Sequence, residues 1–149
     1  MNPLVYDGDM GARPFDVLEH PADIGFRAFG NDLPELFANA ALAMLTIAGD
    51  PQSAEPRQEY PIAVESGDRE ALMFEWLSEV LYWFDGKRIA FREFAITELT
   101  DSAIRAVARG EPRDAERHRA KLIVKAVTYH QLKVEQRHGQ WVAEIYLDI

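Results

Sequence analysis

Two stretches of the chain carry apolar side chains every three or four residues, the spacing of one buried helix face. The first stretch follows Asp32, which precedes Glu35 as in a capping box, and it ends at Gly49. The second stretch begins near Asp68 and ends at Gly86. The pattern therefore predicts two amphipathic helices.

The other patterned segments have the alternation or the β-branched content of strands. The predicted strands are residues 24–29, 61–65, 88–99, 102–109, 121–129, 132–137 and 140–147. Thr100-Asp101 and His138-Gly139 stand where tight turns are needed. Pro61 cannot donate a ladder hydrogen bond, so its strand is predicted at a sheet edge. Many strands and only two helices favour an α+β fold, a single domain in which two α-helices pack on a mixed or antiparallel β-sheet.

Length and composition fit one globular domain, because the chain has 149 residues, of which 48% are hydrophobic. Residues 1–14 show no hydrophobic period, so we expect a flexible arm there and the folded domain over residues 15–149. No segment approaches the roughly 18 to 20 apolar residues of a membrane span, and no signal peptide is visible. The chain also lacks cysteine. These features predict a cytoplasmic protein without a membrane partner.

The charge balance restricts the classes of function. The chain has 16 basic and 25 acidic side chains, a net charge of −9, which argues against strong direct binding of nucleic acid and favours a basic partner surface. The sequence contains no glycine-rich phosphate loop, no nucleophile elbow and no histidine pair at metal-ligand spacing. We therefore do not expect a self-sufficient hydrolase or kinase.

Candidate metal ligands occur at two distant points of the sequence. His20 and Asp23 lie between two strand-like segments, and the chain ends in Asp148 and Ile149, whose α-carboxylate is a further anionic group. Carboxylate oxygens suit Mg²⁺, Ca²⁺ or Mn²⁺ rather than zinc. The alternative interpretation is that Asp23 makes a turn hydrogen bond and that Asp148 is only solvated.

Further candidate groups lie on the predicted strands and on the second helix. Lys125 and His130 are five residues apart, which predicts opposite faces of one strand. His130 is a candidate acid–base group or a cap on the sheet edge. Tyr82 and Trp83 on the second helix are expected to be partly available to a partner.

Several ordered motifs resemble those of the archease family over residues 15–149. The sequence HPADIG at residues 20–25 is similar to the opening His-Thr-Ala-Asp motif of that family, with Pro21 in place of threonine. The most specific match is VKAVTYH at residues 124–130, and the chain then ends in Asp148-Ile149. The resemblance implies the archease fold.

The resemblance also implies a function and a site. Archeases are accessory proteins of the RNA ligase RtcB, and they promote guanylylation of the ligase by GTP and its multiple turnover in tRNA splicing or RNA repair. Their divalent metal site carries over to Asp23, Asp148 and Ile149, with His20, Lys125 and His130 as supporting candidates. Two alternatives remain open: a chaperone-like module that releases product-bound ligase without metal chemistry, and a stand-alone metal-dependent phosphoesterase.

Overall fold

The computed structural model describes residues 14–19 and 23–149, and of Glu19 it describes only the backbone. The predicted arm over residues 1–14 therefore lies outside the described residues except for Pro14. In chain order, the strands are β1 (Phe15–Glu19), β2 (Asp23–Gly30), β3 (Gln58–Glu65), β4 (Ile89–Leu99), β5 (Ala103–Pro112), β6 (Ala126–Arg137) and β7 (Gln140–Asp148). The helices are α1 (Leu33–Ala48), between β2 and β3, and α2 (Arg69–Leu81), between β3 and β4.

Side-chain caps determine where both helices begin. The Asp32 carboxylate accepts a hydrogen bond from the backbone N–H of Glu35 at 2.9 Å, and the Asp68 carboxylate accepts one from Ala71 at 2.8 Å. Each cap satisfies a donor that has no partner within the helix. The predicted starts of α1 and α2 are therefore confirmed. No helix in the described part of the chain is long and apolar enough to cross a bilayer.

The strands form two antiparallel sheets rather than one. The four-stranded sheet has the order β1-β2-β7-β6, and the three-stranded sheet has the order β3-β5-β4. α1 packs against β2 and β4 and so joins the two sheets, while α2 packs against β6 and β3. The buried Trp76 indole of α2 donates to the backbone carbonyl of Phe37 in α1 at 2.9 Å. The predicted α+β class with two packed helices is confirmed, and so is the edge position of Pro61 in β3.

The predicted division of residues 121–137 is wrong. Residues 121–125 lie before β6, which then runs without a break through residue 137. Its ladder with β7 shifts between Thr128 and Lys133, so that residues 129–132 face Ile145 alone. The polar residues of this bulge resemble the end of a strand in the sequence. In the structure, Gln131 within the bulge has a left-handed φ of 54°.

A buried carboxylate holds the connection between β5 and β6. Glu111 Oε2 accepts hydrogen bonds from the backbone N–H of Glu55 at 2.9 Å and from His118 Nε2 at 2.9 Å, and it contacts the Arg117 guanidinium. His118 Nδ1 accepts from the backbone N–H of Asp114 at 2.8 Å, so Nε2 carries the proton that is donated to Glu111. The Glu55 hydrogen bond, together with those from His118 and Arg117, lowers the pKa of Glu111 to about 2 against the opposing effect of burial.

We predict that Glu111→Gln lowers the free energy of unfolding by about 2 to 3 kcal/mol, since it places an amide NH₂ against buried donors. The Glu111 pKa is lowered from 4.5 to about 2 on folding. Its stabilising effect is therefore complete above pH 4.5 and is lost as the pH falls toward 2. Urea unfolding across this range measures both effects, with the exposed Glu116→Gln as the matched control. Equal stability of the two variants at pH 7 would contradict this role of Glu111.

Candidate metal centre

The last strand of the chain lies inside the four-stranded sheet, with β2 on one side and β6 on the other. Asp148 is paired with Asp23 of β2 and with Ala126 of β6. The Asp148 carbonyl also accepts a hydrogen bond from the backbone N–H of Lys125 at 2.7 Å. The backbone of the chain is thus held on both sides up to its penultimate residue.

The register places two carboxylates beside each other. Directly opposed residues of antiparallel strands have Cα atoms about 5 Å apart and side chains on the same face. Asp23 and Asp148 are such a pair, and one carboxylate oxygen of Asp23, Oδ1, is buried. Like charges at directly opposed positions destabilise a sheet, and a cation bound between the two carboxylates would offset that repulsion.

A third anionic group follows at once along the chain. Ile149 comes directly after β7, and its α-carboxylate is one residue beyond Asp148. The predicted donor set of two aspartates and the Ile149 carboxylate consists of hard oxygens, the kind of ligand that Mg²⁺, Ca²⁺ or Mn²⁺ prefers. Within residues 14–19 and 23–149, no three His, Cys, Asp or Glu side chains come together as a metal site. The predicted centre has only two such side chains, and it stays a prediction.

A buried tyrosine lies on the same face as the two aspartates. Tyr146 precedes Asp148 by two residues and is paired with Gly25 of β2. A Cβ atom at Gly25 would lie 2.6 Å from Cδ1 and Cε1 of the Tyr146 ring. The ring therefore occupies the space that the side chain of any other residue at position 25 would need. Burial and the charges of Glu144 and Asp23 raise the pKa of Tyr146, against the effect of Arg27. Tyr146 is therefore a neutral hydroxyl near the acidic end of the sheet.

The bulge of β6 brings His130 next to this tyrosine. The rings of His130 and Tyr146 meet edge to face, with centroids 6.1 Å apart. The Thr128 hydroxyl donates to the Tyr146 carbonyl at 3.1 Å and accepts from the His130 backbone N–H at 3.2 Å. On the other side, Tyr129 stacks on Phe74 of α2 with centroids 4.2 Å apart. These contacts fix His130 within the bulge rather than at a strand end.

The prediction that Lys125 and His130 lie on opposite faces of one strand is wrong. Lys125 precedes β6, and the bulge interrupts the alternation before His130. The backbone of Lys125 holds Asp148, while its side chain lines a cavity of about 360 Å³ beside α2. His20, the remaining supporting candidate, lies outside the described residues.

Sequence reasoning missed Tyr146 and Thr128. Tyr146 lies in an alternating strand, and its only distinguishing signal is its pairing with Gly25, which depends on the register between β2 and β7. Thr128 belongs to the VKAVTYH segment, but its hydroxyl is significant only because the bulge turns the next residues away from the ladder.

Comparison with known proteins places this two-sheet α+β domain in a family. The Archease protein family matches residues 15–149. The archease of Methanopyrus kandleri is 38% identical over 139 residues, covering 91% of this chain and 99% of that protein. The archease of Pyrococcus furiosus is also 38% identical, over 141 residues, covering 92% of this chain and 99% of that protein. The chain belongs to the archease family.

Solved structures agree with this assignment. Protein 1598 of Methanobacterium thermoautotrophicum has a TM-score of 0.76 and 33% identity, covering 91% of this chain and 99% of that one. A Thermotoga maritima protein described as an archease and possible chaperone has a TM-score of 0.62, covering 89% of this chain and 94% of its own. At 20% identity, this second likeness supports the fold alone.

We predict that Gly25→Ala lowers the free energy of unfolding by about 1 to 3 kcal/mol, because the new methyl group overlaps the buried Tyr146 ring. Gly67→Ala is the matched control, since a Cβ atom there has nothing within 4 Å, and we expect it to change stability by less than about 0.5 kcal/mol. Chemical denaturation monitored by tryptophan fluorescence compares the two. A Gly25 variant as stable as the Gly67 variant would refute the close packing of Tyr146.

Proposed function

We propose that this protein is a non-catalytic activator of an RtcB-type RNA ligase, acting in the cytoplasm through a divalent cation held by Asp23, Asp148 and the Ile149 carboxylate. In this role it promotes GTP-dependent guanylylation of the ligase and its multiple turnover in tRNA splicing or RNA repair. The observation that supports the proposal is the direct pairing of Asp23 with Asp148 beside the end of the chain. The partner is the one that the resemblance to archeases implies, and the chain belongs to that family.

The acidic end of the sheet has the chemistry needed to act beside the active site of a partner. When bound there, a divalent cation supplies positive charge to phosphate oxygens, such as those of GTP. Asp23 and Asp148 provide the anionic ligands, and the pairing of β7 with β2 and β6 holds them in place. The net charge of −9 steers this protein toward a basic surface. Such an activator requires no nucleophile of its own.

A chaperone-like module that releases product-bound ligase is the second candidate. The Thermotoga maritima relative is described as a possible chaperone, and this chain exposes 56% of Tyr82 and 53% of Tyr129. Large exposed apolar side chains are typical of surfaces that bind other proteins. Under this alternative, the aspartates have no role in activation, and the exposed aromatic side chains do.

Metal binding tests the site without the ligase. We predict that Asp148→Asn and Asp23→Asn each weaken Mn²⁺ binding by at least about tenfold, because each removes an anionic ligand. Isothermal titration calorimetry with the tag-free protein measures the affinity. Glu65→Gln is the matched control, because it removes an exposed carboxylate from the sheet that lacks the site. Unchanged affinity in both aspartate variants would place the metal elsewhere or exclude it.

Multiple-turnover ligation tests the proposed activity. The assay joins an RNA with a 2′,3′-cyclic phosphate end to an RNA with a 5′-hydroxyl end, using the cognate ligase, GTP, Mn²⁺ and excess RNA. This protein is added at less than one equivalent of ligase, with its C-terminus free. We predict product well above one equivalent of ligase with the wild-type protein and about one equivalent with Asp148→Asn, because in this proposal the metal held by Asp148 assists each new guanylylation.

The variants separate the two candidate functions. If Asp148→Asn sustains turnover while Tyr82→Ser abolishes it, the chaperone-like module is correct and the metal proposal fails. If the wild-type protein has no effect on turnover, activation of this ligase is refuted. Phosphate release by the isolated protein would instead indicate the phosphoesterase.

A further inference from the structure

A second polar site lies near the end of α2, in a cavity of about 270 Å³. Its walls include Leu81, Phe84, Asp85, Arg88, Arg113 and Ile123. None of the candidate metal ligands lines it, so the site is independent of the proposed activation. The unusual feature of the cavity is that two arginines share a mostly apolar surface.

Backbone pairing places these two arginines side by side. The backbone N–H of Arg113 donates to the Arg88 carbonyl at 2.8 Å. The Arg113 guanidinium stacks over the Phe84 ring with Cζ 4.2 Å from the centroid, and Nη1 donates to the Phe84 carbonyl at 3.2 Å. Stacking holds the guanidinium plane in one orientation, which leaves its other N–H groups available for a ligand.

The charges of the two arginines are not balanced. Across residues 14–19 and 23–149, neither guanidinium has a carboxylate within the 4.0 Å of an ion pair. Burial and the charge of Arg88 lower the pKa of Arg113, while the charge of Asp85 opposes the shift. Two adjacent cations on a partly desolvated wall attract an anion.

The backbone of Arg88 is strained. Its φ of 63° lies in the left-handed region, where a long side chain is rare and glycine fits without cost. The strained residue follows the π-helical turn Tyr82–Gly86 by two positions, and its side chain lines the cavity. Backbone strain of this kind is typical of functional sites, so an arginine at a position suited to glycine indicates a functional role for the Arg88 side chain.

The surroundings favour a carboxylate on a peptide rather than a phosphate. Apart from Asp85, the other residues that line the cavity are apolar, and at the rim Ile123 is 76% exposed and Leu122 is 39% exposed. Asp85 on the wall offsets one of the two arginine charges, so the single net positive charge that remains matches a singly charged carboxylate. An exposed apolar rim around a paired-arginine wall is complementary to an acidic residue flanked by apolar residues.

We propose that the cavity between Arg88 and Arg113 binds an acidic residue of a partner protein, an aspartate or glutamate flanked by apolar side chains. The carboxylate lies between the two guanidinium groups, and its apolar neighbours cover Leu122 and Ile123. The site is thus a peptide-docking surface separate from the acidic end of the sheet.

A peptide array tests the proposal with the full-length, fluorescently labelled protein. The probes are blocked hexapeptides with Asp, Glu, Asn, Gln or phosphoserine at one position and Leu, Ile, Phe or Ser around it. We expect about tenfold stronger binding to Asp or Glu between apolar residues than to the matched amides, because only the carboxylate makes charge-assisted hydrogen bonds. Equal binding to acids and amides would overturn the proposal, as would a preference for phosphoserine.

Two variants tie the binding to the arginines. Arg113→Gln and Arg88→Gly should each abolish the preference for acids. Arg88→Gly should also unfold at a temperature no lower than the wild-type protein, because glycine relieves the strained φ, so its loss of binding cannot come from misfolding. Arg105→Gln is the control, since Arg105 pairs with Glu98 at 3.1 Å near the opposite end of the β4–β5 ladder. Retained acid preference in the Arg88 and Arg113 variants would refute the site.

Discussion

The pairing of β7 with β2 on one side and β6 on the other is the constraint on which the acidic site depends. A chain end usually frays, because few hydrogen bonds hold it. Here Asp148 has a strand partner on each side, and the Lys125 N–H holds its carbonyl at 2.7 Å. The ladders therefore hold the backbone that carries a carboxylate opposite Asp23. The hydrogen bonds that stabilise the fold are the same ones that position the candidate ligands.

One face of the four-stranded sheet packs in the core, and the other face carries the candidate site. One face carries Ile24, Phe26 and Leu147 into the core beneath α1, so the position of the sheet is fixed by burial of apolar surface. The opposite face carries the paired aspartates and Tyr146. Because side chains alternate along a strand, a slip of one residue in the register would move the carboxylates into the core. Core packing thereby enforces the geometry of the site.

The sequence predicts local features better than long-range ones. Asp32 and Asp68 identify the helix starts because their caps involve residues three positions away. The separation of the strands into two sheets and the bulge of β6 depend on pairing between distant segments, which no local pattern encodes. The candidate ligands came from the resemblance to archeases. Their proximity became visible only when the order β1-β2-β7-β6 placed the first and last motifs together.

The most direct test of the central claim is a crystal structure of the tag-free protein soaked in Mn²⁺, with anomalous data collected to locate the metal. We expect one strong peak at the end of β2 and β7, about 2.0 to 2.4 Å from oxygens of Asp23, Asp148 and the Ile149 carboxylate. The peak should disappear in Asp148→Asn. An anomalous peak at another place, or its absence from this end of the sheet at saturating Mn²⁺, would contradict the account.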